Sequence, residues 1–286
     1  KARFDEEQNI NWAEELERAG VNVVYGFAGL KIHAKLCLVV RREPKGMRRY
    51  AHIGTGNYNA SSAKIYTDLG LFTARDDICS DVQDLFNVMT GFGVIDNYRR
   101  IFVSPNHLRA NITRLIREEA EIHRAKGGGR IIMKCNQLVD QGIVRELYEA
   151  SRAGVKIECV VRGICSLRPG IKNVSETISV HSIVGELLEH ARIYYFEHGG
   201  EPVMYVGSAD MMTRNLNGRI EVLTPVLDKK LMDNILKQIV NPQLADNTHA
   251  WELLSDGSYK KIKREAGAVA MDSQSHIKRV LNLLKR

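Results

Sequence analysis

The sequence predicts an α/β protein built from two similar halves that arose by internal duplication. The tripeptide His-Ala-Lys at 33–35 has a counterpart in His-Ala-Arg at 190–192. Each tripeptide is followed by a turn of small residues, Gly-Thr-Gly-Asn at 54–57 and Gly-Ser-Ala-Asp at 207–210. The two turns are 153 positions apart (207 minus 54), a spacing compatible with a duplicated domain of common size.

The predicted order of secondary structure supports the duplication. Each half opens with a strand, a helix that ends at a glycine, and a second strand. These elements are predicted at 1–4, 12–20 and 21–25 in the first half and at 131–136, 147–154 and 156–161 in the second. The first half begins inside a strand and has no initiator methionine, so we expect the chain to be a fragment of a longer protein.

The other elements complete two domains, which we place at 1–103 and 104–286, the first being truncated at its N terminus. Each domain is expected to contain a mixed sheet flanked by helices. The further elements predicted from periodicity and turn residues are a hairpin at 36–53 and helices at 76–89, 107–126 and 276–284.

Composition and charge restrict the class of partner without naming a function. A chain of 286 residues, 44% of them hydrophobic, can form two cores of common size. The formal net charge of +7 favours polyanionic partners. Five cysteines without C-x-x-C spacing are predicted to be reduced, which is typical of a cytosolic protein. The sequence contains no apolar run near the ~18 residues of a spanning helix, no zinc-ligand spacing and no G-x-S-x-G motif.

The repeated tripeptides contain the residue types that phosphoryl transfer requires. His33 and Lys35 are predicted on one face of a strand, as are His190 and Arg192, because side chains alternate with a period of two. A fixed cation neutralises phosphoryl oxygens while a neutral imidazole reaches phosphorus. Two histidines at the interface of the halves could therefore flank one phosphorus atom, one attacking it and the other protonating the leaving group.

The small-residue turns offer further hydrogen-bond donors. Asn57 in the first half and Ser208 in the second are predicted to complete an oxyanion cradle together with backbone N–H groups. The remaining histidines show no comparable context and are predicted to be structural: 52, 107, 123, 181, 198, 249 and 276.

A carboxylate follows each turn at the same distance. Asp68 and Glu221 are 153 positions apart (221 minus 68), and each lies 14 residues after the first glycine of its turn. We expect each carboxylate to accept a hydrogen bond from the histidine of its own half, Asp68 from His33 and Glu221 from His190. Such a bond fixes the imidazole tautomer. The alternative is that both acids pair only with nearby cations such as Arg219.

These motifs resemble a known group of enzymes. An H-x-K motif followed by a G-[ST]-x-N turn, present twice, resembles the phospholipase D superfamily. Longer strings closely resemble bacterial polyphosphate kinases of the phosphohistidine type, at 2–7, 29–36, 52–57, 66–68, 161–167, 182–184, 188–190 and 212–215. The resemblance covers nearly the whole chain. It implies that the chain is a C-terminal catalytic pair of phospholipase D-like domains.

The resemblance implies reversible transfer of the ATP γ-phosphate to inorganic polyphosphate, with magnesium. His33 would become phosphorylated, and His190 would act as general acid and base. Contacts with nucleotide and phosphate are assigned to Tyr66, Arg162 and His190. Arg3 corresponds to a magnesium-site arginine, whose guanidinium would hold phosphate oxygens that the ion also binds.

The full expected phosphate-binding set adds five residues from the motifs and their surroundings: Lys35, Asn57, Arg192, Ser208 and Arg219. The expected partners are ATP or ADP and polyphosphate, in a cytoplasmic homo-oligomer that binds no nucleic acid. Peripheral association with the inner membrane stays open.

Two other functions stay open from the sequence. One is a phosphodiesterase of the same superfamily acting on lipid or nucleic acid, and the other is a non-catalytic polyanion-binding module with vestigial histidines. Phosphodiesterases of that superfamily usually keep an Asp five residues after the motif lysine. Val40 and Glu197 stand at those positions here, and these departures favour the kinase.

Overall fold

The computed structural model describes residues 6–26, 29–91, 93 and 97–283. The helices of this part are α1 (Glu6–Arg18), α2 (Asp76–Met89), α3 (Leu108–Lys126), α4 (Gln141–Arg152), α5 (Thr213–Gly218), α6 (Lys229–Ile235), α7 (Asn241–Leu244) and α8 (Ser273–Leu283). A π-helical turn, Leu236–Val240, joins α6 to α7.

The strands are short, and most of them lie after residue 100. They are β1 (Lys31–Ile32), β2 (Lys35–Glu43), β3 (Gly46–Gly54), β4 (Tyr66–Thr67), β5 (Gly70–Thr73), β6 (Phe102–Val103), β7 (Arg130–Cys135), β8 (Lys156–Val161), β9 (Ile178–Ile183), β10 (Leu188–Glu189), β11 (Arg192–Phe196), β12 (Val203–Gly207), β13 (Arg219–Ile220), β14 (Val222–Pro225), β15 (Ala250–Leu253) and β16 (Tyr259–Lys261).

The second half is organised around a mixed sheet of nine strands, in the order β16-β15-β9-β8-β7-β11-β12-β14-β6. Strands β7, β8 and β9 run parallel, and α4 makes the crossover between β7 and β8. β7 is buried on both faces because helices cover both sides of the sheet. Ile131 and Met133 pack in the core that contains α3 and α4, whereas Ile132 packs with Met232 and Val240 on the other side.

The first half contains an antiparallel sheet of three strands, β2-β3-β5, in which β2 and β3 form the predicted hairpin. Helix α2 packs on this sheet through Ile78, Val82 and Leu85. Ile220 and Val222 of the second half belong to the same apolar cluster. The core of the first half is therefore completed by residues of the second.

Two short parallel strand pairs connect the halves. β1 pairs with β13, with Ile32 opposite Ile220. β10 pairs with β4, with Glu189 opposite Thr67. In each pair, a strand that leads into a histidine lies beside a strand of the other half that leads into a carboxylate. We call them the exchanged strand pairs.

The predicted α/β class, with sheets flanked by helices, is confirmed. The predicted mixed sheet is found in the second half, whereas the first-half sheet is antiparallel in the part described. The boundary at 103 stays a prediction, and it falls at β6, which pairs with β14 of the large sheet. Within the described residues no helix is long and apolar enough to cross a membrane.

The predicted strand at 21–25 is wrong. This segment is irregular, and Val21, Val24 and Tyr25 are exposed. A strand needs a neighbour for its backbone N–H and C=O groups, and no described strand pairs with this segment. The strand predicted at 1–4 lies outside the described residues.

Asp81 on α2 anchors the segment that leads from the first half into the second. Its carboxylate is completely buried and accepts hydrogen bonds from the backbone N–H groups of Arg99, Arg100 and Ile101, at 3.0, 2.6 and 3.1 Å. One side chain thus takes the place of a strand partner for three successive residues.

Asp81→Ala is expected to lower the free energy of unfolding by about 3 kcal/mol, because it removes the buried acceptor of three backbone donors. Urea unfolding followed by circular dichroism measures this loss. Asp84→Ala is the matched control, since the partly exposed Asp84 carboxylate binds the exposed Arg99 side chain and should contribute under about 1 kcal/mol. Equal losses in the two variants would contradict the assigned role of Asp81.

Candidate active site

His33 lies between β1 and β2, beside the second half of the molecule. Its backbone N–H donates to the carbonyl oxygen of Ile220, at 2.9 Å, so the chain follows β13 to its end. The next residue after β13 is Glu221, and His33 Nδ1 lies 2.8 Å from Glu221 Oε2. The Glu221 side chain is fully buried, whereas 19% of the His33 side chain is exposed. The imidazole is therefore anchored on its inner edge and open on its outer edge.

His190 repeats this arrangement between β10 and β11. Its backbone N–H lies 3.3 Å from the carbonyl oxygen of Thr67, the last residue of β4. Asp68 follows β4, and His190 Nδ1 is 2.8 Å from Asp68 Oδ1. The ring of Tyr66 lies against the imidazole, with ring centroids 5.0 Å apart.

The predicted pairing of each histidine with the carboxylate of its own half is wrong. Glu221 binds His33, and Asp68 binds His190. The physical reason is the exchange of strands. The strand before each histidine pairs with a strand of the opposite half, and the carboxylate is the next residue after that partner strand. The expectation that both acids orient imidazoles holds, but across the interface.

Hydroxyl groups of the small-residue turns support the carboxylates. Thr55 Oγ1 donates to Asp68 Oδ1 at 2.6 Å, and Ser208 Oγ donates to Glu221 Oε2 at 2.5 Å. Asn215 Nδ2 donates to the other Glu221 oxygen at 2.6 Å. The buried Ser208 hydroxyl thus supports the carboxylate that binds His33. The contact of Ser208 with phosphate stays a prediction.

Arg192 is the more firmly held of the two motif cations. Its Nε and Nη2 atoms lie 3.2 and 3.0 Å from the two oxygens of Asp210, in a bidentate ion pair that is almost completely buried. Its Nη1 atom donates to the carbonyl oxygens of His190, at 2.7 Å, and of Thr55, at 3.2 Å. The same atom is 3.1 Å from His190 Nε2. Arg192 thus joins the second tripeptide to the turn of the first half.

Lys35 is the corresponding cation of the first half, and it has no such partner. Asn57, 153 positions before Asp210, is exposed and carries no charge. Lys35 Nζ donates to the carbonyl oxygen of His33 at 2.5 Å, and it forms no ion pair within the described residues, although the Glu221 and Asp68 carboxylates are close enough to raise its pKa. Only 6% of Lys35 is exposed, and burial lowers its pKa to about 8. A buried lysine in this condition attracts an anion.

Burial favours the neutral form of both histidines. It lowers the pKa of His33 and of His190 from the ordinary value, and the hydrogen bonds to the carboxylates oppose this effect without cancelling it. Lys35 and Arg192 act on both rings in the same direction as burial, which shows that the two tripeptides share one site. A neutral imidazole that donates its Nδ1 hydrogen to a carboxylate keeps a lone pair on Nε2.

The other predicted contacts lie around this centre. Arg162 follows β8, and its Nε donates to Asn136 Oδ1 at 3.1 Å. Asn136 in turn has its backbone N–H 2.7 Å from Asp210 Oδ1, which links Arg162 to the Arg192 ion pair. Arg219 Nη1 lies 4.0 Å from Glu221 Oε1, on the His33 side.

The described residues do not form a protein-bound magnesium site. Arg3 lies outside them, and within them no group of three His, Cys, Asp or Glu side chains could hold a metal ion. The two carboxylates nearest the histidines already accept hydrogen bonds. Magnesium in phosphoryl-transfer sites is held largely by substrate phosphates.

Sequence reasoning missed four residues of the site: Thr55, Asn136, Asp210 and Asn215. Thr55 could have been found, because it lies 153 positions before Ser208 and has the same hydroxyl group. Asp210 stands in the second turn, where a carboxylate next to a buried arginine is an obvious partner. Asn136 and Asn215 are brought to the site by the fold alone.

Two family models match the chain. The model described as polyphosphate kinase C-terminal domain 1 matches residues 1–95, and the model described as polyphosphate kinase C-terminal domain 2 matches residues 101–274. Together they span both halves of the site.

Relatives and a solved structure agree with these matches. Polyphosphate kinase 1 of Chlorobaculum tepidum is 51% identical over 269 residues, which cover 94% of this chain and 38% of that protein. A polyphosphate kinase of Synechocystis sp. is 51% identical over 276 residues, 96% of this chain and 38% of that one. The crystal structure of a Porphyromonas gingivalis polyphosphate kinase superposes with a TM-score of 0.91 at 37% identity, covering 99% of this chain and 43% of that one. The chain thus spans about two fifths of the length of these relatives, and it belongs to the polyphosphate kinase family.

Proposed function

We propose that this chain carries the active site of a polyphosphate kinase that reversibly transfers the γ-phosphate of ATP to inorganic polyphosphate, through a phosphohistidine at His33. The observation that carries the proposal is the pair of imidazoles, each held at Nδ1 by a carboxylate of the opposite half. Such a pair in a cationic site suits transfer of a phosphoryl group between two anionic substrates.

His33 is assigned as nucleophile by the resemblance, and its surroundings support the assignment. Nε2 of His33 would attack the γ-phosphorus, forming the N–P bond as the bond from phosphorus to the bridging oxygen of ADP breaks. The ring becomes cationic, and the buried Glu221 carboxylate stabilises it. In the second step a terminal polyphosphate oxygen attacks the same phosphorus, the N–P bond breaks, and His33 is restored.

His190 would act as general acid and base in these two steps. In the free protein the lowered pKa favours the neutral His190 ring, whose Nδ1–H donates a hydrogen bond to Asp68. Binding of anionic phosphates favours the protonated ring, which would then donate its Nε2 proton to the departing oxygen. In the reverse direction the same nitrogen accepts the proton. Asp68 stabilises the ring in its charged form.

The cations and the aromatic ring around the histidines would bind the substrates. Lys35 is the prime phosphate ligand, since its charge is unpaired among the described residues. The other proposed contacts are Tyr66, Arg162, Arg192, Arg219 and the exposed turn residue Asn57. Arg3 stays a proposed contact from the resemblance, as does Mg²⁺ carried by the nucleotide. The proposal extends to a cytoplasmic homo-oligomer, for which peripheral association with the membrane stays open. A phosphodiesterase would use the same histidine pair with water as acceptor, and membership of the kinase family favours the kinase.

His33→Ala is expected to abolish both the phosphoenzyme and the product, because it removes the nitrogen that attacks phosphorus, and His190 has the role of acid and base instead. The intact polypeptide is incubated with γ-labelled ATP and Mg²⁺, and acid-labile label on protein and labelled polymer are counted. His52→Ala is the control, since His52 lies on the hairpin and binds Tyr58. Undiminished label on His33→Ala would overturn the assignment.

Glu221→Gln is expected to lower the pKa of His33 further and leave that of His190 unchanged. Asp68→Asn should lower the pKa of His190 and leave that of His33 unchanged. The reason is that each carboxylate raises the pKa of the imidazole it binds. Titration of ¹⁵N-labelled histidines by NMR measures both values. Turnover should fall at least ~10-fold in each variant. If each variant shifted the histidine of its own half, the crossed pairing would be refuted.

Activity at subsaturating ATP is expected to decline as the pH rises through about 8, the pKa of Lys35. The lysine is charged below this pH and loses its attraction for phosphate above it. Lys35→Arg should move this decline to higher pH, because a guanidinium stays charged. Lys45→Arg, in the exposed hairpin turn, should leave the decline where it is. A pH profile that is identical in wild type and Lys35→Arg would exclude this role.

A further inference from the structure

Glu189 is a buried carboxylate that the mechanism above does not use. Its Oε2 atom accepts hydrogen bonds from Thr67 Oγ1 (2.9 Å), Lys134 Nζ (2.8 Å) and Gln243 Nε2 (2.7 Å). Its Oε1 atom accepts one from Gln274 Nε2, at 2.9 Å. The side chains of Glu189 and Lys134 are 1% and 2% exposed. One carboxylate thus gathers donors from β4, β7, α7 and α8.

The position of Glu189 in the chain gives this cluster a specific relation to the site. Glu189 directly precedes His190, and Thr67 directly precedes Asp68. Glu189 and Thr67 face each other in the exchanged pair of β10 and β4. Thr67 Oγ1 also lies 3.3 Å from the backbone N of His190. The Glu189–Thr67 contact therefore joins the backbone that carries the second histidine to the backbone that carries its carboxylate.

Helix α8 holds the same strand from the other side. Gln274 Oε1 accepts from the backbone N–H of Leu187 at 2.9 Å, and Gln274 Nε2 donates to the Leu187 carbonyl oxygen at 2.8 Å as well as to Glu189. A single buried side chain of α8 thus makes three contacts within three residues of His190. The placement of β10 depends on the docking of α8.

Among the described residues, the other exchanged pair has no such cluster. In the pair of β1 and β13, the positions of Glu189 and Thr67 are taken by Ile32 and Ile220. Buried ion pairs are seldom more stabilising than apolar side chains of similar size, so an apolar contact would hold the strands as well. The polar cluster instead fixes how the two strands lie against each other, since each of its hydrogen bonds restricts an angle and a distance.

We propose that Glu189 is a positioning residue for the second histidine: with Thr67 and Gln274 it sets the register of β10 against β4, and thereby the hydrogen bond from His190 to Asp68. Through Gln274, the docking of helix α8 becomes a condition for a competent general acid and base. This inference rests on the proposed role of His190, but the geometric part can be tested without activity.

The test uses the two ring hydrogens that are bonded to carboxylates, observed by proton NMR in the intact polypeptide with ¹⁵N-labelled histidine. Thr67→Val removes the hydroxyl with little change of volume, and Gln274→Leu removes the link to α8. Both variants should lose or broaden the Nδ1–H signal of His190 and keep that of His33, which serves as an internal control for folding. Thr67→Ser, which retains the hydroxyl, should restore the His190 signal.

Kinetics provide the second readout. Turnover should fall about 10-fold in Thr67→Val and Gln274→Leu, as is typical when a supporting hydrogen bond is lost. Lys278→Gln is the control, because it breaks an exposed contact of the same helix with Glu186 and should leave signal and turnover unchanged. Equal loss of both histidine signals, or an intact His190 signal in both variants, would overturn the proposal. If the two variants lose the His190 signal but the wild-type protein makes no phosphohistidine, the positioning role is supported and only the proposed function is refuted.

Discussion

The hydrogen bond from each imidazole to a carboxylate of the opposite half is the interaction on which the rest of the site depends. It places each Nδ1 beside a carboxylate oxygen and so fixes the imidazole tautomer, while His190 Nε2 is in addition 3.1 Å from Arg192 Nη1. The fully buried Glu221 carboxylate is tolerated because its oxygens are satisfied by Ser208 and Asn215 as well as by His33. The partly exposed Asp68 carboxylate accepts a second hydrogen bond from Thr55. The exchanged strand pairs bring these groups together, and burial lowers the pKa of both histidines.

The two halves keep the same frame but have different electrostatics. In the second half Arg192 is neutralised by Asp210, so its charge mainly organises the backbone around His190. In the first half Lys35 stands beside His33 without a carboxylate, and burial holds its pKa near 8. An incoming phosphate therefore gains more from the first half than from the second. This difference supports the proposed roles of His33 as nucleophile and of His190 as proton carrier.

Local sequence patterns predicted much of the fold, because these elements are determined by periodicity and turn residues. Helix α2 has the predicted bounds, 76–89, and β8 is found at the predicted 156–161. The prediction of a strand at 21–25 was wrong because a strand forms only beside a partner strand, and the local sequence does not show whether a partner is present. The duplication also identified both histidines and both carboxylates as candidates.

The crossed pairing could not be read from the same pattern. Equal spacing of Asp68 and Glu221 shows that the halves correspond, but it is unchanged whether each acid serves its own histidine or the other one. Only the register of β1 on β13 and of β10 on β4 decides between the two. The cluster around Glu189 is hidden for a similar reason, since its members are contributed by residues as distant as Thr67 and Gln274.

The exchanged strand pairs also bear on the ancestry of the duplication. A single ancestral half would have had a histidine and a carboxylate that could not meet within one subunit, so it would have been competent only as a symmetric dimer. Fusion of two copies into one polypeptide lifted the requirement that both be identical. A lysine could then diverge from an arginine, and an asparagine from an aspartate, without losing the shared frame. Two chemically distinct ends of one reaction could evolve from a symmetric precursor by that route.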